Sequence, residues 1–178
     1  MENLRTTANK IIRSAIDAVK PDKLIQKKVC IQNDLLRIGG HRFPLEKFDH
    51  IYVIGTGKAS AFMALEIEKI LGSRLSGGAV SVKYGHTAPC SKVNVFEAGH
   101  PVLDENGLAA AKEILEIAEK AGEKDLVICL ISGGGSALLE RLPAGVQLDD
   151  VQKVAELLLG SGANIEEINA VRKHLSLV

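Results

Sequence analysis

Apolar residues recur at helical spacing near the start of the chain. Leu4, Ala8, Ile11, Ile12, Ala15, Ile16 and Val19 fall on one stripe. The spacing predicts a helix over residues 2–20, stopped by Pro21, whose ring and missing N–H end a helix. Three short strand-like pieces follow: Val29–Gln32, Leu35–Ile38 and His41–Phe43. Gly39-Gly40 supplies a two-residue hairpin turn between the last two. These pieces read as a small appendage.

The pattern then changes. Ile51–Ile54 is a short apolar strand, followed by Gly55-Thr56-Gly57-Lys58 and a helix to about Leu71. Gly78–Val82, Val93–Phe96 and Leu126–Ile131 are further strands. Residues 104–121 form an amphipathic helix with Leu108, Ala111, Leu115 and Ala118 inward. Helices at about 149–159 and 165–175 complete the set, the last opened by a capping box of Asn164 and Glu167. Strands alternating with helices predict an α/β fold. The expected form is an open, mostly parallel, Rossmann-like sheet in three α/β/α layers, with the N-terminal helix and hairpin appended.

Composition narrows the function. At 178 residues the chain holds one sizeable core. Lysine and arginine number 22, as do aspartate and glutamate, and no basic block occurs. A nucleic-acid binder held by charge is therefore excluded. Aromatic residues are 3% of the chain and tryptophan is absent, so platforms for stacking bases or sugars are not expected. Cys30, Cys90 and Cys129 have no zinc or redox spacing and read as free thiols in a reducing compartment. Charges at Glu2, Arg5 and Lys10 do not fit a signal peptide, and the apolar runs are too short to span a bilayer. A soluble cytoplasmic protein with no membrane partner is expected. The chain ends at Val178 in an apolar stretch without a polar tail, which reads as a truncation.

The candidate chemistry lies in the turns. In Leu126–Leu139, LVICLISGGGSALL, an apolar strand runs into Ser132-Gly133-Gly134-Gly135-Ser136 and then into a segment with helical potential. A buried strand, a glycine-rich turn and a helix start build an anion site from backbone N–H groups and the positive helix end. Gly55-Thr56-Gly57-Lys58 repeats that logic. It lacks the spacing of a Walker A loop and the third glycine of the dinucleotide fingerprint. Lys58 stands at a helix N-terminus, where the dipole disfavours cations. Such a lysine either serves an anionic ligand or is solvated. Glu97-Ala98-Gly99-His100-Pro101-Val102-Leu103-Asp104 also follows a strand and precedes a helix. Asp104 is placed to cap that helix, and His100 to bind substrate, act as acid or base, or hold the turn. His86 is a weaker position of the same kind. Asn169, Arg172 and Lys173 share one face of the last helix, as donors to an anion groove or as a solvated face. Turns that follow parallel strands share the carboxyl edge of the sheet, so these groups are expected to converge. No metal-ligand spacing, protease triad or redox motif is present in the sequence.

Four of these pieces, in this order, resemble one family. They are Gly57-Lys58-Ala59, Gly99-His100-Pro101 before Asp104, Ser132-Gly133-Gly134-Gly135-Ser136-Ala137-Leu138, and Ile168-Asn169-Ala170-Val171-Arg172-Lys173-His174-Leu175-Ser176. Together they look like the N-terminal part of the glycerate 2-kinases of the type once called hydroxypyruvate reductase. The resemblance spans essentially the whole chain. It implies phosphorylation of D-glycerate on its 2-hydroxyl with ATP and Mg²⁺, between two α/β domains. The first domain would carry Lys58 as the charge-neutralising group. Gly55, Gly57, His100, Asp104, Ser132, Gly133, Gly134, Gly135, Ser136, Asn169, Arg172 and Lys173 would surround substrate and phosphate. A homodimer is compatible with such an enzyme. Leu103 stands where the family has proline. The family's following Lys-Gly-Gly stretch and second domain lie beyond Val178, so this chain is expected to be an incomplete first domain, inactive alone. Two other classes compete: a non-catalytic phosphate or carboxylate module, and an NAD(P)H-linked hydroxypyruvate reductase. The missing third glycine, and acidic residues Glu66 and Glu68 that fall too early for a ribose contact, argue against the reductase.

Overall fold

The computed structural model describes residues 3–178, so Glu2, at the start of the expected first helix, lies outside the described residues. Helix α1 spans Leu4–Ala18, capped by the Asn3 side chain on the Arg5 amide at 3.0 Å. Pro21 stops it and also opens a second helix, α2 (Pro21–Lys28), which the hydrophobic pattern does not reveal. Proline fits there because the first-turn N–H has no helical acceptor. The apolar stripe faces solvent. No residue of α1 is buried, and Leu4 is 86% exposed. The helix leans on α2 rather than on the core.

Strands β1 (Val29–Gln32), β2 (Leu35–Ile38) and β3 (His41–Pro44) form an antiparallel sheet in that order. Asn33 and Asp34, both at positive φ, make a two-residue turn between β1 and β2, and Gly39-Gly40 the next. This sheet shares the main core. Val29, Leu36 and Leu45 are buried in one cluster with Ile51, Val53, Ile67 and Leu71.

The central sheet has four parallel strands: β4 (His50–Thr56), β5 (Gly77–Lys83), β6 (Val93–Ala98) and β7 (Asp125–Ile131), in the order β6-β5-β4-β7. Helix α3 (Ser60–Leu71) connects β4 to β5, moving one way along the sheet. Helix α4 (Glu105–Lys120) connects β6 to β7, moving the other way. Right-handed crossovers running in opposite directions put their helices on opposite faces. The three layers follow.

Two expectations need correction. The buried face of α4 is Gly107, Ala110, Ala111 and Ile114, whereas Ala118 is exposed. Small residues let α4 approach the sheet closely, so its seam turns by one position. Leu108 and Leu115 instead line a groove with Glu140, Arg141 and Leu142. Second, no α-helix follows directly on Ser136. Gly135–Ala137 is one 3-10 turn, and irregular chain runs on to α5 (Leu148–Gly160) and α6 (Ile165–Arg172). Burial of Ala137, Leu138 and Glu140 pulls this segment onto the domain, and Pro143 disfavours helix just before it. The capping box of Asn164 and Glu167 does open α6, which ends at Arg172 rather than near 175. Among the described residues no helix is long and apolar enough to cross a membrane.

Gly78 marks where the sheet tolerates least. A methyl group there would collide with the Val53 carbonyl on β4. Gly78→Ala is expected to destabilise the domain by about 1–3 kcal/mol or more through overpacking. Urea denaturation checks this: a midpoint equal to that of the parent protein would contradict the packing described.

Candidate anion site

The turns after β4 and β7 meet at the carboxyl edge of the sheet. The two strands pair in parallel from His50–Asp125 to Thr56–Ile131, and bonding continues past their ends. Ser132 N–H donates to the Thr56 carbonyl at 3.0 Å, and Lys58 N–H to the Gly133 carbonyl at 3.1 Å. The Thr56 hydroxyl donates to the Gly135 carbonyl at 3.1 Å, and Ala59 N–H to Ser132 Oγ at 3.0 Å. The chain leaving β4 enters α3. The chain leaving β7 runs onto α4, where Arg141 donates to Glu119 at 2.9 Å. Adjacent strands whose connections part to opposite faces define a topological switch point, the usual ligand crevice of open α/β sheets.

The glycines let the parts close up. A side chain at Gly57 (φ 116°) would strike Ser132. A Cβ at Gly134 (φ 89°) would sit 2.8 Å from His100 Nε2 and 3.1 Å from Lys58 Cε. Lys58, His100 and the loop tip therefore converge, as the shared-edge argument predicts. No hydrogen-bond partner exists among the described residues for the N–H groups of Gly133 and Gly134, so the tip presents backbone donors. The absent helix removes the dipole from the 132–136 loop, leaving local N–H groups and nearby cations. Lys58 precedes Ala59, the N-cap of α3, and has no carboxylate partner among the described residues.

Electrostatics mark the same place. Burial pushes the His100 ring below its usual pKa of 6.5, and the positive charges of Lys58, Lys83 and Arg172 push it further. Lys83 is a residue the sequence reading missed. It ends β5 at the carboxyl edge, the same signal that marks Lys58, and it too lacks a carboxylate partner among the described residues.

Other candidates have structural partners. Asp104 caps α4 through the Gly107 amide at 2.9 Å and accepts the Tyr84 hydroxyl at 2.7 Å. Burial raises its carboxyl pKa, but the bonds from Tyr84, Gly99 and Gly107 outweigh this and hold it below the usual range. The Ser132 hydroxyl is taken up by Ala59, and the His86 amide closes the turn after β5 on the Lys83 carbonyl at 3.0 Å. Beyond the loop lies a groove of about 390 Å³, lined by Thr56, Ser132, Gly135 and Ser136 on one side and Asn169, Arg172 and Lys173 of α6 on the other. Gly55 lies beneath, buried and packed so closely on Leu130 that no side chain fits. Among the described residues no group of three or more His, Cys, Asp or Glu is placed to hold a metal ion.

Fold and site thus define a Rossmann-like α/β domain with a cation-lined glycine-loop crevice at its switch point. Over residues 7–178 the chain matches the family described as "Domain of unknown function (DUF4147)", and it belongs to that family. It is 39% identical over 178 residues to a D-glycerate 2-kinase of Thermotoga maritima, covering 99% of this chain and 39% of that protein. It is 40% identical over 176 residues to a glycerate 2-kinase of Pyrococcus horikoshii, again covering 99% of this chain and 39% of the relative. A crystal structure of a Thermotoga maritima glycerate kinase superposes with a TM-score of 0.80 at 38% identity, over 100% of this chain and 40% of that one. The chain therefore spans well under half the length of these relatives.

The His100 ring reports on the crevice. Its NMR titration midpoint is expected below 6.5 and should rise when Lys58→Met removes one cation. The unfolded state binds the proton more readily, so the contribution of this ring to stability is full above pH 6.5 and falls as the pH drops through the folded midpoint. A midpoint unmoved by Lys58→Met would separate the two side chains.

Proposed function

We propose that this chain is the first domain of a D-glycerate 2-kinase, which moves the γ-phosphoryl group of ATP to the 2-hydroxyl of D-glycerate. The supporting observation is the convergence of Lys58, which has no carboxylate partner among the described residues, on His100 and Gly134, with the charge of Lys83 also bearing on the His100 ring. The kinase names of the relatives supply the reaction class.

Phosphoryl transfer needs alignment and charge stabilisation more than covalent chemistry. The bond from the γ-phosphorus to the β–γ bridging oxygen breaks, a bond to the glycerate O2 forms, and the hydroxyl proton leaves. Lys58 and Lys83 neutralise negative charge on the phosphoryl group or the glycerate carboxylate. The Gly133 and Gly134 amides hold a second anionic group, with Ser136, Asn169 and Lys173 along the adjoining groove. Such preorganised donors act most strongly where water is excluded. His100, kept neutral, has a ring nitrogen able to accept the hydroxyl hydrogen. Tyr84 and Asp104 set the loop that carries it. The donor set fits phosphate oxygens rather than a cation, so Mg²⁺ would arrive on the triphosphate, where it shields phosphate charge.

One wall of such a site leaves the reacting groups in water, which weakens each electrostatic contact several-fold. Residues 1–178 alone are therefore expected to release no glycerate-dependent ADP in a coupled assay with D-glycerate, ATP and Mg²⁺. Joined to the remaining part of a glycerate 2-kinase relative, the chain is expected to turn over, and Lys58→Ala to cut the rate by about 10²-fold or more. A variant within threefold of the parent would remove Lys58 from the mechanism. Phosphate binding without turnover in the joined protein would favour a non-catalytic module.

A further inference from the structure

Glu140 is a buried carboxylate beside the crevice, 4% exposed, in the irregular segment after the glycine loop. Its partner is Arg172 on α6. Arg172 Nη2 donates to Glu140 Oε1 at 3.1 Å and to the Ser136 carbonyl at 3.0 Å. One amino nitrogen with two hydrogens thus ties the end of the loop to a buried negative charge. The remaining guanidinium nitrogens are left for the groove that Arg172 also lines. Helix α6 has no buried residue, so apolar packing does little to fix it against the loop. The polar ties to Ser136 and Glu140, with the Leu177 amide on the Arg141 carbonyl at 2.8 Å, take that role.

We infer that Glu140 is a positioning residue that fixes Arg172 and, through it, the Ser136 end of the glycine loop, so that loop donors and the α6 donors Asn169 and Lys173 face one groove. The inference rests on the anion-site reading given above, and its sign is distinctive. Glu140 stands in the groove wall, and a carboxylate near an anion repels it. By charge alone, removing it tightens anion binding. By positioning, removing it weakens binding, because Arg172 and the loop lose their anchor.

The test uses the 178-residue chain with inorganic phosphate as probe, followed by amide NMR, and measures, without ligand, hydrogen exchange of the hydrogen-bonded amides that hold the loop, Lys58, Ser132 and Leu138. Glu140→Gln is expected to weaken phosphate binding and to speed loop exchange, each by about tenfold, as befits loss of a charge-assisted hydrogen bond. Arg172→Ala is expected to speed loop exchange to a similar extent. The double variant should exchange no faster than Arg172→Ala alone, since both act through one tie. Phosphate binding by Glu140→Gln as tight as or tighter than the parent, with loop exchange unchanged, overturns the inference. Should Glu140→Gln fail to fold, Arg172→Ala decides, because α6 lies outside the core: unchanged loop exchange overturns the inference equally. If the parent chain does not bind phosphate, the anion-site reading fails, while loop exchange in the variants still decides the role of Glu140.

Discussion

The pairing of β4 with β7, carried past the ends of both strands, is the interaction on which the rest depends. Within the strands it is an ordinary parallel ladder. Beyond them it continues as Thr56 to Ser132, Lys58 to Gly133, Ala59 to Ser132 Oγ and Thr56 to Gly135. These bonds convert two separate turns into one body. They occupy carbonyls and a serine hydroxyl of the loop and leave its Gly133 and Gly134 N–H groups without partners among the described residues. Separating the strands by one register step would move Lys58 away from Gly134 and dissolve the crevice.

Energetically the site is an arrangement of like charges. Lys58, Lys83 and Arg172 all bear on His100, and among the described residues only Arg172 of the three has a buried counter-charge, in Glu140. The folded domain holds these cations together because the ends of β4 and β5 place Lys58 and Lys83 and the ties to Ser136 and Glu140 place Arg172, not because they attract one another. An arrangement unfavourable by itself becomes favourable when an anion enters. On the proposed reading, Glu140 is tolerated near that anion because Arg172 offsets its charge.

Much of this was legible in the sequence. Apolar runs ending in glycine located β4 and β7, and the shared carboxyl edge followed from parallel topology. The capping box at Asn164 identified α6. What was not legible depended on packing between distant segments. The hydrophobic stripe of α1 carries a helical period whether or not anything covers it, so periodicity could not tell that Ile11 and Ile16 lie in solvent. The segment after Ser136 has helical composition, yet burial of Leu138 and Glu140 overrides it. Lys83 was overlooked because its turn lacks the glycine-rich signature of the others, and Glu140 because one glutamate in an apolar run has no meaning until Arg172 is placed beside it.

Gly134 couples parts of the chain that are remote in sequence. The space a side chain would need at this position is already filled by His100 and Lys58. Any larger residue at 134 requires a smaller or displaced group at 58 or 100. Position 134 is therefore constrained by the other two, and covariation with them is the mark this contact would leave on a lineage.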